Sequence, residues 1–277
     1  MTNEALFKAA EAIADENLKA GALSLLSKMT ESIEGIGDRE ISWRPSILKV
    51  VQSMTDTDKL PDGAKAGDMI VGDSVLAKEY NVIPLRVWDS RLMWHPDKDV
   101  NEIICQSPDA KVGYKYGECR KCDHAEFKEG GAACNKTKNV MVVSADLSEV
   151  FICVFSKSQF ANGKDWEGVM RKAKTHPYKR VYKLSTDSHA KYKKVKVLNA
   201  SVQTDTLPED VLSFLEILFN QVSKDRADMI DRFYESIKNR ESRIALEDVS
   251  GRSETKALEV KEGEVIEGED EGQQYTI

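Results

Sequence analysis

The 277-residue chain is 41% hydrophobic and 31% charged, enough apolar material for one or two packed domains and too much for a wholly disordered polymer. No apolar run reaches the roughly 18–20 residues that a bilayer crossing needs, and the charged opening stretch lacks the form of a signal peptide, so a soluble cytosolic protein is expected. The formal charge of −7 disfavours a polyanionic partner only on average, because a whole-chain sum conceals local blocks.

Ala, Leu, Glu and Lys dominate residues 1–40, where Leu6, Ala9, Ala10 and Ile13 recur at helical spacing. An N-terminal helical segment is therefore predicted, closing at Gly35-Ile-Gly37. Residues 41–205 change character. Short runs rich in branched and aromatic residues, Met69–Val71, Val82–Trp88, Val140–Val143, Val150–Phe155, Arg180–Leu184 and Tyr192–Leu198, alternate with turn residues and predict a small barrel or sandwich. Val211, Leu212, Leu215, Leu218, Phe219 and Val222 then carry a 3.6-residue period, which predicts one helix over 206–250, or two joined near Ser223. Beyond residue 250 the composition predicts a disordered acidic tail over 251–277, with eight acidic residues against three basic ones.

Four of the five cysteines fall within thirty residues: Cys105, Cys119, Cys122 and Cys134, spaced C-x13-C-x2-C-x11-C. A Cys-x-x-Cys knuckle completed by two distant cysteines suits a closed tetrahedral zinc site that braces a loop, whereas disulfides do not persist in a reducing cytosol. His124, two residues after the knuckle, is an alternative fourth ligand in place of Cys105. A redox dithiol at Cys119 and Cys122 is a further alternative, although such pairs usually stand without other cysteines nearby. The order of His124-Ala-Glu126 relative to the knuckle is the reverse of a zinc deaminase signature. Cys153, inside Val-Phe-Ile-Cys-Val-Phe, reads as core.

Between Lys164 and Lys196 eleven basic residues face three acidic ones. Trp166, Tyr178, Tyr182 and Tyr192 are interleaved with Arg171, Lys172, Lys174, Lys179, Arg180, Lys183, Lys191, Lys193 and Lys194. Cations beside phosphates and ring faces under bases are what a sequence-tolerant single-strand binder needs. The competing reading is a solvated basic face whose rings pack the barrel. Alternation would turn Val195 and Val197 inward and Lys194 and Lys196 outward. His95, Asp97 and Asp99 are the residues a metal-dependent nuclease would use, but closely spaced acids in a proline-bearing loop are commonly solvated turn residues. No phosphate-binding glycine loop or nucleophile elbow is present in the sequence, and a non-enzymatic binder is expected.

Arg44-Pro-Ser-Ile-Leu through Gly67-Asp-Met-Ile, Val82-Ile-Pro-Leu, Trp94, the cysteine series and the strand pair from Val140-Met-Val-Val to Phe155-Ser resemble the zinc-containing single-stranded-DNA-binding proteins of tailed bacteriophages. The resemblance spans about residues 43–200, and the cysteine series is its specific part. It implies an α+β chain: an OB-like small β-barrel with an inserted zinc loop, flanking helices and an acidic C-terminal tail. It further implies sequence-independent single-stranded DNA binding during phage replication or recombination in the cytoplasm of an infected bacterium. The tail would then engage replication or transcription proteins. The principal rival is a phage transcription or polymerase accessory factor that contacts duplex DNA and protein.

Overall fold

The computed structural model describes residues 3–30, 45–53, 55, 60–97, 100, 102–126, 132–189, 191, 196–204 and 206–251. The chain divides into two compact units, Met1–Phe233 and Tyr234–Ile277. In the second unit the described residues continue a helix to Gly251. Residues 1–2 and 31–40 of the expected N-terminal segment, the following residues 41–44, and residues 252–277 of the acidic tail lie outside the described residues.

The first unit is a mixed α+β fold built on a curled nine-stranded sheet. Its helices are α1 (Asn3–Glu11), α2 (Glu16–Thr30), α3 (Phe160–Lys172) and the opening part of α4 (Glu209–Gly251). The main sheet uses β1 (Ser46–Val50), β2 (Met69–Val71), β3 (Ser74–Leu76), β4 (Glu79–Trp94), β5 (Ile103–Ser107), β8 (Asn135–Ser144), β9 (Val150–Ser156), β10 (Val181–Ser188) and β11 (Lys196–Thr204). A two-residue pair, β6 (Val112–Gly113) and β7 (Gly117–Glu118), stands apart.

Strand order in the sheet is β11-β10-β4-β8-β9-β1-β2-β3, with β5 added to the far end of β4. All pairs are antiparallel except β1 with β9. The sheet curls far enough for segments flanking β1 and β2 to reach β10 and β11. The Gln52 amide donates to the Lys196 carbonyl at 3.0 Å and accepts from its N–H at 2.8 Å, while the Thr186 hydroxyl donates to the Gly67 carbonyl at 2.5 Å. The register shift in β4 falls at Pro84, whose missing N–H cannot serve a regular ladder.

Alternation along the strands separates two cores. On the inner face Val140, Val142, Phe151, Cys153, Phe155, Tyr182 and Leu184 pack under Trp166 and Met170 of α3. On the outer face Ile83, Leu85, Met141 and Val143 meet Leu6, Ala10, Ile13, Leu25 and Leu26 of the first two helices and Val211, Phe214, Leu215 and Leu218 of α4. Helix α2 opens on Asp15, whose carboxylate accepts the N–H groups of Asn17 and Leu18, a local N-cap. Asp210 ties α4 back to the N-terminal pair by accepting the Ala14 N–H at 2.7 Å.

The expected strands lie within observed ones, except that Arg180 precedes β10 and residues 192–195 are outside the described set. Two expectations change. The single-or-paired C-terminal helix is one continuous element through Ser223. Residues 164–172, read as part of a basic block, belong to α3. Its buried residues Gly163, Trp166 and Met170 lie at i, i+3 and i+7, the one-face spacing of an amphipathic helix.

Candidate functional site

Strands β4 and β8 run beyond the apolar interior, and on that extension their inner-facing residues turn from hydrophobic to charged. Asp89 stands opposite Lys138, and Arg91 opposite Lys136. Helix α3 crosses above this extension. Between them lies an open cleft of about 570 Å³ lined by Val87, Trp88, Asp89, Lys136, Lys138, Phe160, Lys164, Glu167, Gly168 and Arg171. Four cations therefore face two carboxylates in one concavity of a chain whose formal charge is −7. Low-dielectric walls concentrate the field of such a local surplus.

The floor of the cleft is an ion-pair network. Lys138, with its side chain 7% exposed, pairs with Asp89 and with Glu167. Lys136 reaches the other Asp89 oxygen at 2.6 Å, and Arg171 reaches Glu167 at 2.6 Å. Burial pushes both carboxyls upward, but the ion pairs outweigh it and hold Asp89 and Glu167 below their ordinary values. Burial likewise opposes the charge on Lys138, yet its two carboxylate partners raise it above the usual lysine value. Phe160 forms the aromatic wall, with the Lys136 ammonium 5.8 Å from its ring centroid. Trp88 is held from the opposite side: the Arg226 guanidinium lies 4.1 Å from its centroid and donates to the Pro108 carbonyl at 2.6 Å. Burial draws Arg226 down to about 10, which leaves it charged at neutral pH.

Of the residues expected to bind a strand, the structure brings Arg171 to this cleft together with Lys164. Lys172 and Lys174 are exposed at and beyond the end of α3, Lys179 is exposed on the turn before β10, and Lys191 is exposed on the β10–β11 turn. Arg180 is half-buried. Lys183 pairs with Glu79 at 3.1 Å. None of these six lines the cleft. Tyr192, Lys193 and Lys194 lie outside the described residues.

The stacking role expected of Trp166, Tyr178 and Tyr182 is corrected: all three rings are core, 2%, 3% and 1% exposed. Trp166 packs between Phe155 and Tyr182, at centroid distances of 5.9 and 5.8 Å, and Tyr178 packs against Phe219 and His176. A ring whose faces are occupied by neighbours offers none to a base. Sequence reasoning missed Lys136, Lys138 and Phe160. The available signal was the run of polar residues Asn135-Lys-Thr-Lys-Asn, which opens a strand that is then apolar on both faces.

The cysteines occupy the end of the same β4–β5–β8 extension. Cys105 pairs with Met93 across the strands, and Cys134 immediately precedes β8. A Cβ added to Gly113 would stand 2.8 Å from the Cys105 sulfur and 3.8 Å from that of Cys119, so the two sulfurs converge on one point that only glycine leaves open. The Lys115 N–H donates to the Cys105 sulfur at 3.5 Å. Cys119 interacts electrostatically with Cys105 and Cys122, and Cys134 with Cys105 and Cys119. Burial raises the Cys119 and Cys134 thiols, against the pull of Arg91. Among the described residues no three His, Cys, Asp or Glu side chains are already drawn to metal-ligand spacing. The donor chemistry and the glycine-lined cradle nonetheless suit a thiolate-bound ion. The His124 ring packs at a tilt against Tyr116, with centroids 4.5 Å apart, and its carbonyl accepts the Cys134 N–H at 2.7 Å.

Of the acidic loop considered for nuclease chemistry, His95 and Asp97 bond locally, the Asp97 N–H donating to His95 Nδ1 at 3.2 Å, and Asp99 lies outside the described residues. Among the described residues no helix is long and apolar enough to cross a membrane. No protein-family model matches the chain, and no curated protein or solved structure matches it.

Proposed function

We propose that this chain is a non-catalytic, sequence-tolerant binder of single-stranded DNA, and that the cleft between α3 and the β4–β8 extension receives the strand. The observation that carries this reading is the cleft itself, where Lys136, Lys164 and Arg171 surround the half-buried ring of Phe160 beside Trp88. The cations suit successive phosphates, and a ring face suits any base. The curled sheet is compatible with an OB-like barrel, and the resemblance of the cysteine series to phage replication proteins points the same way. In this reading Cys105, Cys119, Cys122 and Cys134 hold a structural zinc ion that stiffens the loop beyond the cleft. The acidic tail recruits replication proteins in the bacterial cytoplasm.

The test is a titration of labelled oligo-dT against duplex of the same length across a salt series. With three accessible cleft cations, log affinity should fall with log salt at a slope of about −2, at roughly −0.7 per phosphate of a single strand. The triple substitution Lys136→Gln, Lys164→Gln, Arg171→Gln should abolish most of that slope. Equal or tighter binding of duplex would favour the accessory-factor reading, and salt-independent binding would refute the cleft.

A further inference from the structure

Glu167 is the part of the cleft that a simple phosphate receptor does not need. Its Oε2 lies 2.5 Å from Lys138 Nζ, and its Oε1 accepts from Arg171 Nη2 at 2.6 Å and Nε at 3.0 Å. Both Arg171 donors converge on one carboxylate oxygen and Lys138 holds the other, and these are donors that a phosphodiester would also use. The two cations are not equivalent. Lys138 is 7% exposed and keeps Asp89 as well, whereas the Arg171 side chain is 79% exposed. Freeing Lys138 would strand a buried charge. Freeing Arg171 breaks a pair one helical turn apart whose guanidinium end is exposed, while Glu167, 18% exposed, keeps its contact with Lys138, so the cost is small.

We propose that Glu167 is a built-in competitor for the strand and the residue that sets the cleft's preference for a polymer over a lone phosphate. Lys138, Asp89 and Glu167 form a permanent clamp between α3 and the sheet. Arg171 is held in reserve on Glu167 and transfers to a phosphodiester when neighbouring phosphates on Lys136 and Lys164 bring one within reach. A single phosphate cannot draw on those neighbours and loses to the carboxylate that is already in place. The exchange moves one side chain and forms no covalent bond.

This inference rests on the proposed single-strand function, and its test separates the two. Oligo-dT affinity is measured for the wild type, Glu167→Gln, Arg171→Gln, Lys164→Gln and the Glu167→Gln/Arg171→Gln pair, with thermal unfolding run on each. Glu167→Gln keeps the size of the side chain, frees Arg171 and adds one net positive charge. It should bind about three- to tenfold more tightly at low salt, with a slope steeper by about 0.7. In the Arg171→Gln background the same substitution should yield less than twofold. Arg171→Gln alone should cost less than Lys164→Gln, a comparison that stands even if Glu167→Gln fails to fold. Inorganic phosphate at millimolar concentration should compete with oligo-dT more effectively on Glu167→Gln than on the wild type. No gain in Glu167→Gln, or the same gain without Arg171, overturns the competitor role. A wild type that does not bind oligo-dT overturns the underlying function instead, and unchanged binding after Lys164→Gln overturns the cleft as the site of the strand.

Discussion

Helix α3 carries two glycines with opposite surroundings, and they test whether its close seating on the sheet builds the cleft. A Cβ placed on Gly163 would lie 2.7 Å from Phe155 Cβ, 2.8 Å from Phe155 Cγ and 3.1 Å from Lys138 Cβ. Ordinary carbon contacts begin near 3.5 Å, so Gly163→Ala must lift α3 by most of an ångström or force Phe155 off its rotamer. Overpacking of this kind costs about 1–3 kcal/mol, and the gain in helix propensity returns about 1 kcal/mol. The expected net loss, up to about 2 kcal/mol, lowers the melting temperature by up to roughly 8 °C for a domain of this size. Gly168, on the same helix, has nothing within 4 Å of its added Cβ. Gly168→Ala should therefore keep the whole propensity gain, about 1 kcal/mol, and melt roughly 2–4 °C higher. Thermal unfolding followed by near-ultraviolet circular dichroism reads both, since Trp166 of α3 packs against Tyr182 of the sheet. Two variants that shift in the same direction would refute the packing argument.

The ring of Phe160 is expected to stack on a base, so Phe160→Ala should weaken oligo-dT binding by about 1–3 kcal/mol, seen as reduced anisotropy change at equal protein concentration; an unaltered affinity removes the ring from the site. Asp89 and Glu167 are held below their ordinary values of 3.8 and 4.5. Their stabilising contribution is thus fully present above those values and is lost as pH falls through the lower folded ones. An acid titration should loosen α3 below about pH 4, and the acid midpoint should shift in Asp89→Asn, whereas a pH-independent near-ultraviolet signal would contradict the clamp. Zinc analysis should return about one ion per chain, lost in Cys119→Ser and weakened in Gly113→Ala, where the new methyl group would press on the Cys105 sulfur. Chelation should expose residues 103–134 to protease while the curled sheet persists, and a metal-free protein with an intact loop would count against the ion.

How much was legible depended on whether a property is local. The alternation in Val150–Phe155 separates inner Phe151, Cys153 and Phe155 from outer Val150 and Ile152, because strand geometry sends neighbouring side chains to opposite faces. The stripe of α4 was equally clear. Helix α3 was not, because Gly163 and Gly168 lower its propensity and its surface lysines look like part of a continuous basic run. The role of its two glycines, one in contact and one open, has no trace in the sequence around them.

From the order of residues alone follow an α+β chain, the strand segments, the amphipathic helix and a cysteine group too clustered for chance packing. Each depends on spacing within a few residues. Tertiary structure decided which rings are available and which cations act together. Trp166 and Tyr182 lie among lysines in the chain yet face Phe155 and each other in space, since the apolar interior takes up the largest rings within reach. Lys136 and Lys138 join Lys164 and Arg171 only because α3 crosses the β4–β8 extension. Charge adds up by distance through space and through the shape of the cavity that holds it, and neither quantity is written in sequence separation.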